Sequence, residues 1–395
     1  MDATRRVCSI QSRIYILKAL SCTMVNMEPT DASGYIELGR CHREGDGVPK
    51  DPAKAIECFL KAAEMGDASA ASTLGYMYMS GEGCTPDDTM AEMYLRTAAD
   101  AGVPAAMCNL GFLLNGIPGR ESEAIGFLES AANVGSVTAM KNLAVMYGGG
   151  NGVPMDKEKS IGWYMSAIDA GDLDSMCALA FIYRAGDGVP EDKQMALELY
   201  GRAAEAGDVT AQYEYAFMLD SGEGVPEDHE TAEIYFRKAA DAGDTDACLC
   251  MGGILFEKGE FSDAEHYFLN AAMKGDVKAQ YNLGLIYMAD YLGSPDPGKA
   301  TEWFEASAEQ GFVLSFTMLG NIELDAGHVD KAASHFRTAA QAGEPTAMYN
   351  LGALGISGQI EADFQDSLSW IAKSAEQGFE LAYNLLSQIN SQAGP

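Results

Sequence analysis

A Leu-Gly pair, or a close variant of it, returns along almost the whole chain at a nearly fixed interval. It begins at Leu38-Gly39 and recurs at Leu74-Gly75, Leu110-Gly111, Leu143-Ala144, Leu179-Ala180 and Tyr215-Ala216. It continues through Met251-Gly252, Leu283-Gly284, Leu319-Gly320, Leu351-Gly352 and Leu386-Ser387. The steps are 36, 36, 33, 36, 36, 36, 32, 36, 32 and 35 residues. A second column closes each unit at Gly66, Gly102, Gly135, Gly171, Gly207, Gly243, Gly275, Gly311, Gly343 and Gly378. Such a period marks an array of small supersecondary units, and it overrides the two or three globular domains that 395 residues would otherwise suggest.

Each unit reads as two helices. In the fifth, Ala178, Leu179, Ile182 and Tyr183 share one face of a first helix near 174–183. Gly186-Asp187-Gly188-Val189-Pro190 interrupts it. Asp192 is placed to cap a second helix, with Ala196, Leu199, Tyr200, Ala203 and Ala204 on one face. Asp51, Asp87, Asp156 and Asp228 stand in the same register, and Pro52 suits a first helical position. The closing glycines are expected just past the second helix, where left-handed backbone costs least without a Cβ. The small residue after each Leu predicts a close approach of the second helix, and the Ala pairs at its end predict a close approach of the next unit. A bulky column, Cys58, Tyr94, Phe127, Trp163, Leu199, Tyr235, Tyr267, Trp303, His335 and Trp370, is expected to fill the core between them. A lone two-helix unit cannot bury its apolar face, so neighbours must stack.

Hydrophobic residues make up 47% of the chain, enough for that core. No stretch approaches the ~18 apolar residues of a membrane helix, so no membrane insertion is expected. The net charge is −32; residues 1–30 carry Arg5, Arg6, Arg13 and Lys18 against Asp2 and Glu28, which leaves −34 for the rest. Such a surface repels nucleic acid and anionic lipid and favours a basic protein partner, although solubility alone also accounts for it. Nine cysteines show no repeating pair and no CxxC, which suits the reduced thiols of a cytoplasm. The apolar residues Ile14, Tyr15, Ile16 and Leu17, between Arg13 and Lys18, are too few for a secretory core. Ala19-Leu20-Ser21-Cys22 has the outline of a lipoprotein cleavage site, with Lys18 where an apolar residue is required. Residues 1–30 are therefore read as a poorly ordered leader or a mis-assigned start, with Met24 or Met27 as the favoured first residue.

The unit, A-x-x-x-L-G-x-x-Y, then G-x-G-V-P-x-D, then A-x-x-W and A-A-x-x-G, resembles the Sel-one-like repeat, an offshoot of the tetratricopeptide repeats. The run Ala279-Gln280-Tyr281-Asn282-Leu283-Gly284-Leu285-Ile286-Tyr287 and the stretch from Ala211 to Asp228 carry the resemblance, which covers about residues 31–387. It implies an all-α, right-handed superhelical solenoid of about ten helix pairs. Residues 31–379 would form the tandem repeats, and residues 380–395 a capping helix and tail. The third, seventh and ninth units depart from the pattern with shorter loops. Gly259-Glu260-Phe261 and Gly327-His328-Val329 look like ordinary tetratricopeptide turns.

The resemblance also implies a non-catalytic interaction scaffold whose first helices line a groove for a peptide or protein. Asn109, Asn142, Asn282 and Asn350 stand just before the Leu of the pair, where related domains use an Asn amide on a bound peptide backbone. A structural bond to the neighbouring helix is the alternative role for this column. Nearby basic residues are confined to Lys141 and Lys278, which argues against a clamp for a terminal carboxylate. No catalytic residue, cofactor or metal is assigned: there is no H-x-x-x-H pair, no phosphate loop after a strand and no G-x-S-x-G. The acidic loop residues Asp46, Glu82, Asp187 and Glu223 lack the ligand ladder of a calcium loop. A cysteine-rich branch of the family binds and hydrolyses β-lactams, but its paired cysteines are missing here. The expected location is cytoplasmic; the alternative is a secreted or envelope-associated interaction protein acting on a host.

Overall fold

The computed structural model describes residues 29–392. They form α-helices and one short 3-10 helix, with no strand among the described residues. The first five repeats comprise α1 (Ala32–Glu44) and α2 (Pro52–Glu64), α3 (Ala68–Ser80) and α4 (Asp88–Asp100), α5 (Pro104–Asn115) and α6 (Glu121–Asn133), α7 (Val137–Gly149) and α8 (Lys157–Asp169), α9 (Leu173–Ala185) and α10 (Lys193–Glu205). The next five comprise α11 (Val209–Asp220) and α12 (His229–Asp241), α13 (Thr245–Glu257) and α14 (Phe261–Ala272), α15 (Val277–Met288) and α16 (Pro297–Glu309), α17 (Val313–Asp325) and α18 (Val329–Gln341), α19 (Pro345–Ile356) and α20 (Phe364–Glu376). A last helix, α21 (Glu380–Gln392), is followed by no second helix among the described residues, so the ten pairs and a terminal helix expected from the repeat are present there. Nearly all of the expected leader, 1–28, lies outside the described residues.

The helices cluster into two compact units, the first ending at Ala196 and the second beginning at Leu197, inside α10. Within each unit, helices pack on their neighbours in chain order. Their ends follow the aspartates. Asp51, Asp156, Asp192 and Asp228 accept the backbone N–H three residues on, as expected for the second helices. A further set, not anticipated from the sequence, caps the first helices: Asp67, Asp208, Asp244 and Asp276 accept from Ala70, Ala211, Ala247 and Ala279 at 2.7–2.8 Å. A substantial share of the acidic charge therefore sits on helix N-termini, where the helix dipole favours it. The closing glycine is left-handed as expected, with φ +95° at Gly207.

The core corrects one expectation. The residues pressed against the Gly of the Leu-Gly pair lie one position after the predicted bulky column: Phe59, Leu95 and Leu128 in the first unit, Phe268, Phe304 and Phe336 in the second. All six are at most 3% exposed. In the predicted column Cys58, Leu199 and Tyr267 are buried, but Tyr94, Phe127, Trp163, Tyr235, Trp303, His335 and Trp370 are only half-buried. One residue rotates a side chain by about 100° around the helix, which carries this column from the core to its edge. There the rings meet cations: Arg96 lies 5.5 Å from the Phe127 centroid, Lys238 4.2 Å from Tyr235 and Lys373 4.5 Å from Trp370. No helix among the described residues is long and apolar enough to cross a membrane.

Candidate functional site

Two cavities occupy the same place in two different repeats. In the first unit, a cavity of about 190 Å³ lies between α5 and α7, lined by Phe112, Asn115, Leu128, Asn142, Val145, Met146 and Asn151. In the second, one of about 150 Å³ lies between α13 and α15, lined by Gly253, Phe256, Glu257, Phe268, Asn282 and Leu285. The walls correspond position by position. Phe112 and Gly253 each follow a Leu-Gly-type pair, Asn115 in one and Phe256 and Glu257 in the other lie one turn further on, and Leu128 and Phe268 are the core residues of the second helix. Asn142 and Asn282 enter from the next repeat, with Val145 and Leu285 three residues after them.

The four Asn of the column therefore part company. All are half-buried, but Asn142 and Asn282 wall cavities. Asn350 instead donates from Nδ2 to Oδ1 of Asn321 at 3.1 Å, bridging α19 to α17. Asn109 lines neither cavity. Asn321 follows its own Leu-Gly pair, so it occupies the position that Phe112 and Gly253 hold elsewhere. The residue across from the Asn thus decides whether the amide is tied down or left facing open space. In other repeats the Asn position carries Glu37, Thr73, Ala178, Glu214, Cys250 or Met318. Burial foremost, then Asp246, pushes the Cys250 thiol up to about 11, so it brings no charge to this surface at neutral pH.

The position after the Leu-Gly pair was not singled out from the sequence, although its variability beside the recurring pair was a usable signal. In the first unit it presents Arg40 in the first repeat and then Tyr76, Phe112, Val145 and Phe181, the last four 40–66% exposed. Single exposed apolar residues are ordinary, but here they recur at one position on successive first helices. Two of these first helices, α3 and α5, contain no charged residue. Lys141, on α7, is occupied by Asp172 and Asp174 at 3.3 and 2.8 Å. No cluster of three His, Cys, Asp or Glu able to hold a metal is found among the described residues.

Stacked helix pairs with side-chain cavities between successive first helices define a helical-repeat solenoid of the tetratricopeptide type. The Sel1 repeat matches residues 32–67, 68–103, 104–136, 137–172, 173–208, 209–244, 277–312 and 345–379, and the chain belongs to the Sel1 repeat family. A tetratricopeptide repeat matches residues 317–359. The Sel1 matches pass over 245–276 and 313–344, the seventh and ninth units, whose short turns read as tetratricopeptide-like in the sequence. The fold is similar to the crystal structure of a protective antigen present in uropathogenic Escherichia coli strains and displaying an SLR fold. That similarity is 31% in identity, with a TM-score of 0.71, over 91% of this chain and 79% of that one. A Sel1 repeat protein from Oxalobacter formigenes is similar at 25% identity and TM-score 0.59, over 75% of this chain and 90% of that one. Among curated proteins no sequence matches.

Proposed function

We propose that this chain is a non-catalytic interaction scaffold that holds a peptide or protein segment against its first helices. The observation that carries this reading is the pair of equivalent cavities, each walled by a column Asn and by the position after the Leu-Gly pair. A cavity of this size admits one side chain. An Asn amide at its wall offers both a donor and an acceptor for a peptide unit. Beside the first cavity, Phe112 and Val145 give the apolar contact that anchors most interfaces. The charge balance favours a basic partner and disfavours nucleic acid: residues 29–196 hold 24 Asp and Glu against 12 Lys and Arg, and residues 197–395 hold 32 against 10. The reading places this scaffold in the cytoplasm. Its test is affinity capture from the host with the wild-type chain beside Asn142→Ala/Asn282→Ala. A partner retained by the first and lost by a folded second variant supports the reading. Equal retention by both defeats it.

A second reading, an exported or envelope-associated interaction protein acting on a host, is favoured by one observation. The E. coli protein similar over 91% of this chain is described as a protective antigen. Mass determination of the native N-terminus separates the two. A chain processed near Cys22 supports export, and one beginning at Met24 or Met27 removes it.

A further inference from the structure

We infer that the cavity between α13 and α15 is a subsite for a cationic side chain, a lysine or arginine presented by the bound segment. This rests on the scaffold reading above and adds to it the chemistry of one contact. Residue 253 on its wall is glycine, and a Cβ there would meet nothing within 4 Å. The same position in three other repeats carries Phe112, Phe181 and Phe217. At about 30 Å³ per water, the 150 Å³ cavity holds roughly five waters, close to the five heavy atoms of a butylammonium group.

The lining is graded from apolar to charged. Phe268 is 2% exposed and forms the floor. Phe256 and Leu285 form apolar walls along which a methylene stem can lie. The Phe256 ring is held in place by Phe261 and Tyr291, with centroids 5.3 and 5.2 Å away. At the mouth stands Glu257, exposed and without a hydrogen-bond or ion-pair partner among the described residues. Its neighbour Lys258 is committed to Glu233. Lys278, one turn before Asn282 on α15, forms no ion pair with Glu257. A carboxylate at the mouth, an amide on the wall and an apolar interior together suit a long cationic side chain.

The sister cavity supplies the contrast. It is lined by Asn115, Asn142 and Asn151 with no carboxylate, and the buried Oδ1 of Asn115 has no hydrogen-bond partner. That cavity suits an uncharged group with a donor. The partner's charge is therefore read at α13–α15, in the unit with the larger acidic excess.

The test titrates the full chain, labelled on its Asn side chains, with three probes: the N-acetyl N-methylamides of arginine, lysine and norleucine. The Asn282 amide signal is expected to shift saturably with the two cations and far less with norleucine, the neutral analogue. Glu257→Gln should weaken the cationic probes by roughly fivefold, the worth of one exposed ion pair. An equal response to norleucine, no response to either cation, or a response unchanged by Glu257→Gln overturns the inference. The scaffold reading is decided separately by the capture experiment with Asn142→Ala/Asn282→Ala, so either can fail alone.

Discussion

Gly252 lies against the ring of Phe268 so closely that a Cβ on the glycine would stand 2.5 Å from Cδ1 of the ring. No real Cβ contact is that short, so the first and second helices of the repeat meet at backbone distance. Gly284 and Phe304 repeat the arrangement at 2.5 Å, as do Gly320 and Phe336. The interval between Leu-Gly pairs is thus the spacing of a packing contact. It is also what leaves the next position, 253 or 112, at the edge of the cavities.

The adjacent glycines 252 and 253 should respond to alanine with opposite signs. Gly252→Ala must displace the Phe268 ring. Overpacking costs about 1–3 kcal/mol, against a helix-propensity gain of at most about 1 kcal/mol. Gly253→Ala adds a methyl to open space and keeps only the gain, about 0.8–1 kcal/mol. Thermal midpoints by calorimetry should fall for the first variant and rise for the second. A rise for both would show that the ring yields freely and that the close approach is not required.

The unanticipated caps before the first helices carry stability as well as charge. Asp244 Oδ1 accepts the N–H of Ala247 at 2.8 Å, at the start of α13. Asp244→Ala should cost about 1 kcal/mol, and Asp244→Asn, which keeps the acceptor without the charge, only a fraction of that. Denaturant midpoints decide it. Equal losses in both variants would assign the effect to charge at the helix terminus instead of the hydrogen bond.

These contrasts show why parts of the fold were legible in the sequence and others were not. The closing glycines and the caps Asp51, Asp156 and Asp228 answer local backbone demands that few residues meet, so a single unit reveals them. The core column was misplaced by one residue because both candidates are apolar in most repeats: Tyr94 stands beside Leu95, Phe127 beside Leu128 and Trp303 beside Phe304. Local pattern does not tell which of two adjacent apolar residues faces the neighbouring glycine. The cavities were illegible for a different reason. They depend on what stands across from the Asn in the preceding repeat, some 29 to 30 positions away: Phe112, Gly253 or Asn321.

An ion-pair ring between α4 and α6 gives a pH-dependent contribution. Arg96 Nη2 bonds Glu92 at 2.8 Å and Glu123 at 2.7 Å, while Arg120 bonds Glu92 at 2.8 Å and Glu123 at 2.6 Å. Hydrogen bonding holds both carboxyls below the ordinary glutamate range, Glu92 chiefly through Arg96 and Glu123 chiefly through Arg120. A carboxyl harder to protonate when folded adds stability above its unfolded pKa of about 4.3, and that stability is lost as pH falls through the lower folded value. Arg120→Ala should therefore lower the thermal midpoint by a constant amount at neutral and mildly acidic pH. The difference from wild type should begin to narrow as the pH falls below about 4.3 and close only below the lowered folded values. A difference that persists unchanged under acid would assign the effect to lost packing of the Arg120 side chain.

The Asn column offers the sharpest separation of structure from binding. Asn350→Ala removes the donor to Asn321 and should cost about 0.5–1.5 kcal/mol, the net worth of one hydrogen bond. Asn142→Ala and Asn282→Ala remove amides that face open cavities and have no hydrogen-bond partner among the described residues. Alanine also exceeds asparagine in helix propensity by up to about 0.7 kcal/mol, so these two variants should hold or raise the thermal midpoint. Affinity for a captured partner should show the reverse order, falling in Asn142→Ala and Asn282→Ala and holding in Asn350→Ala. If Asn350→Ala were the variant that lost the partner while keeping its stability, the Asn350–Asn321 bridge would be a contact that opens on binding, and the assignment of the two cavities as the recognition sites would fall.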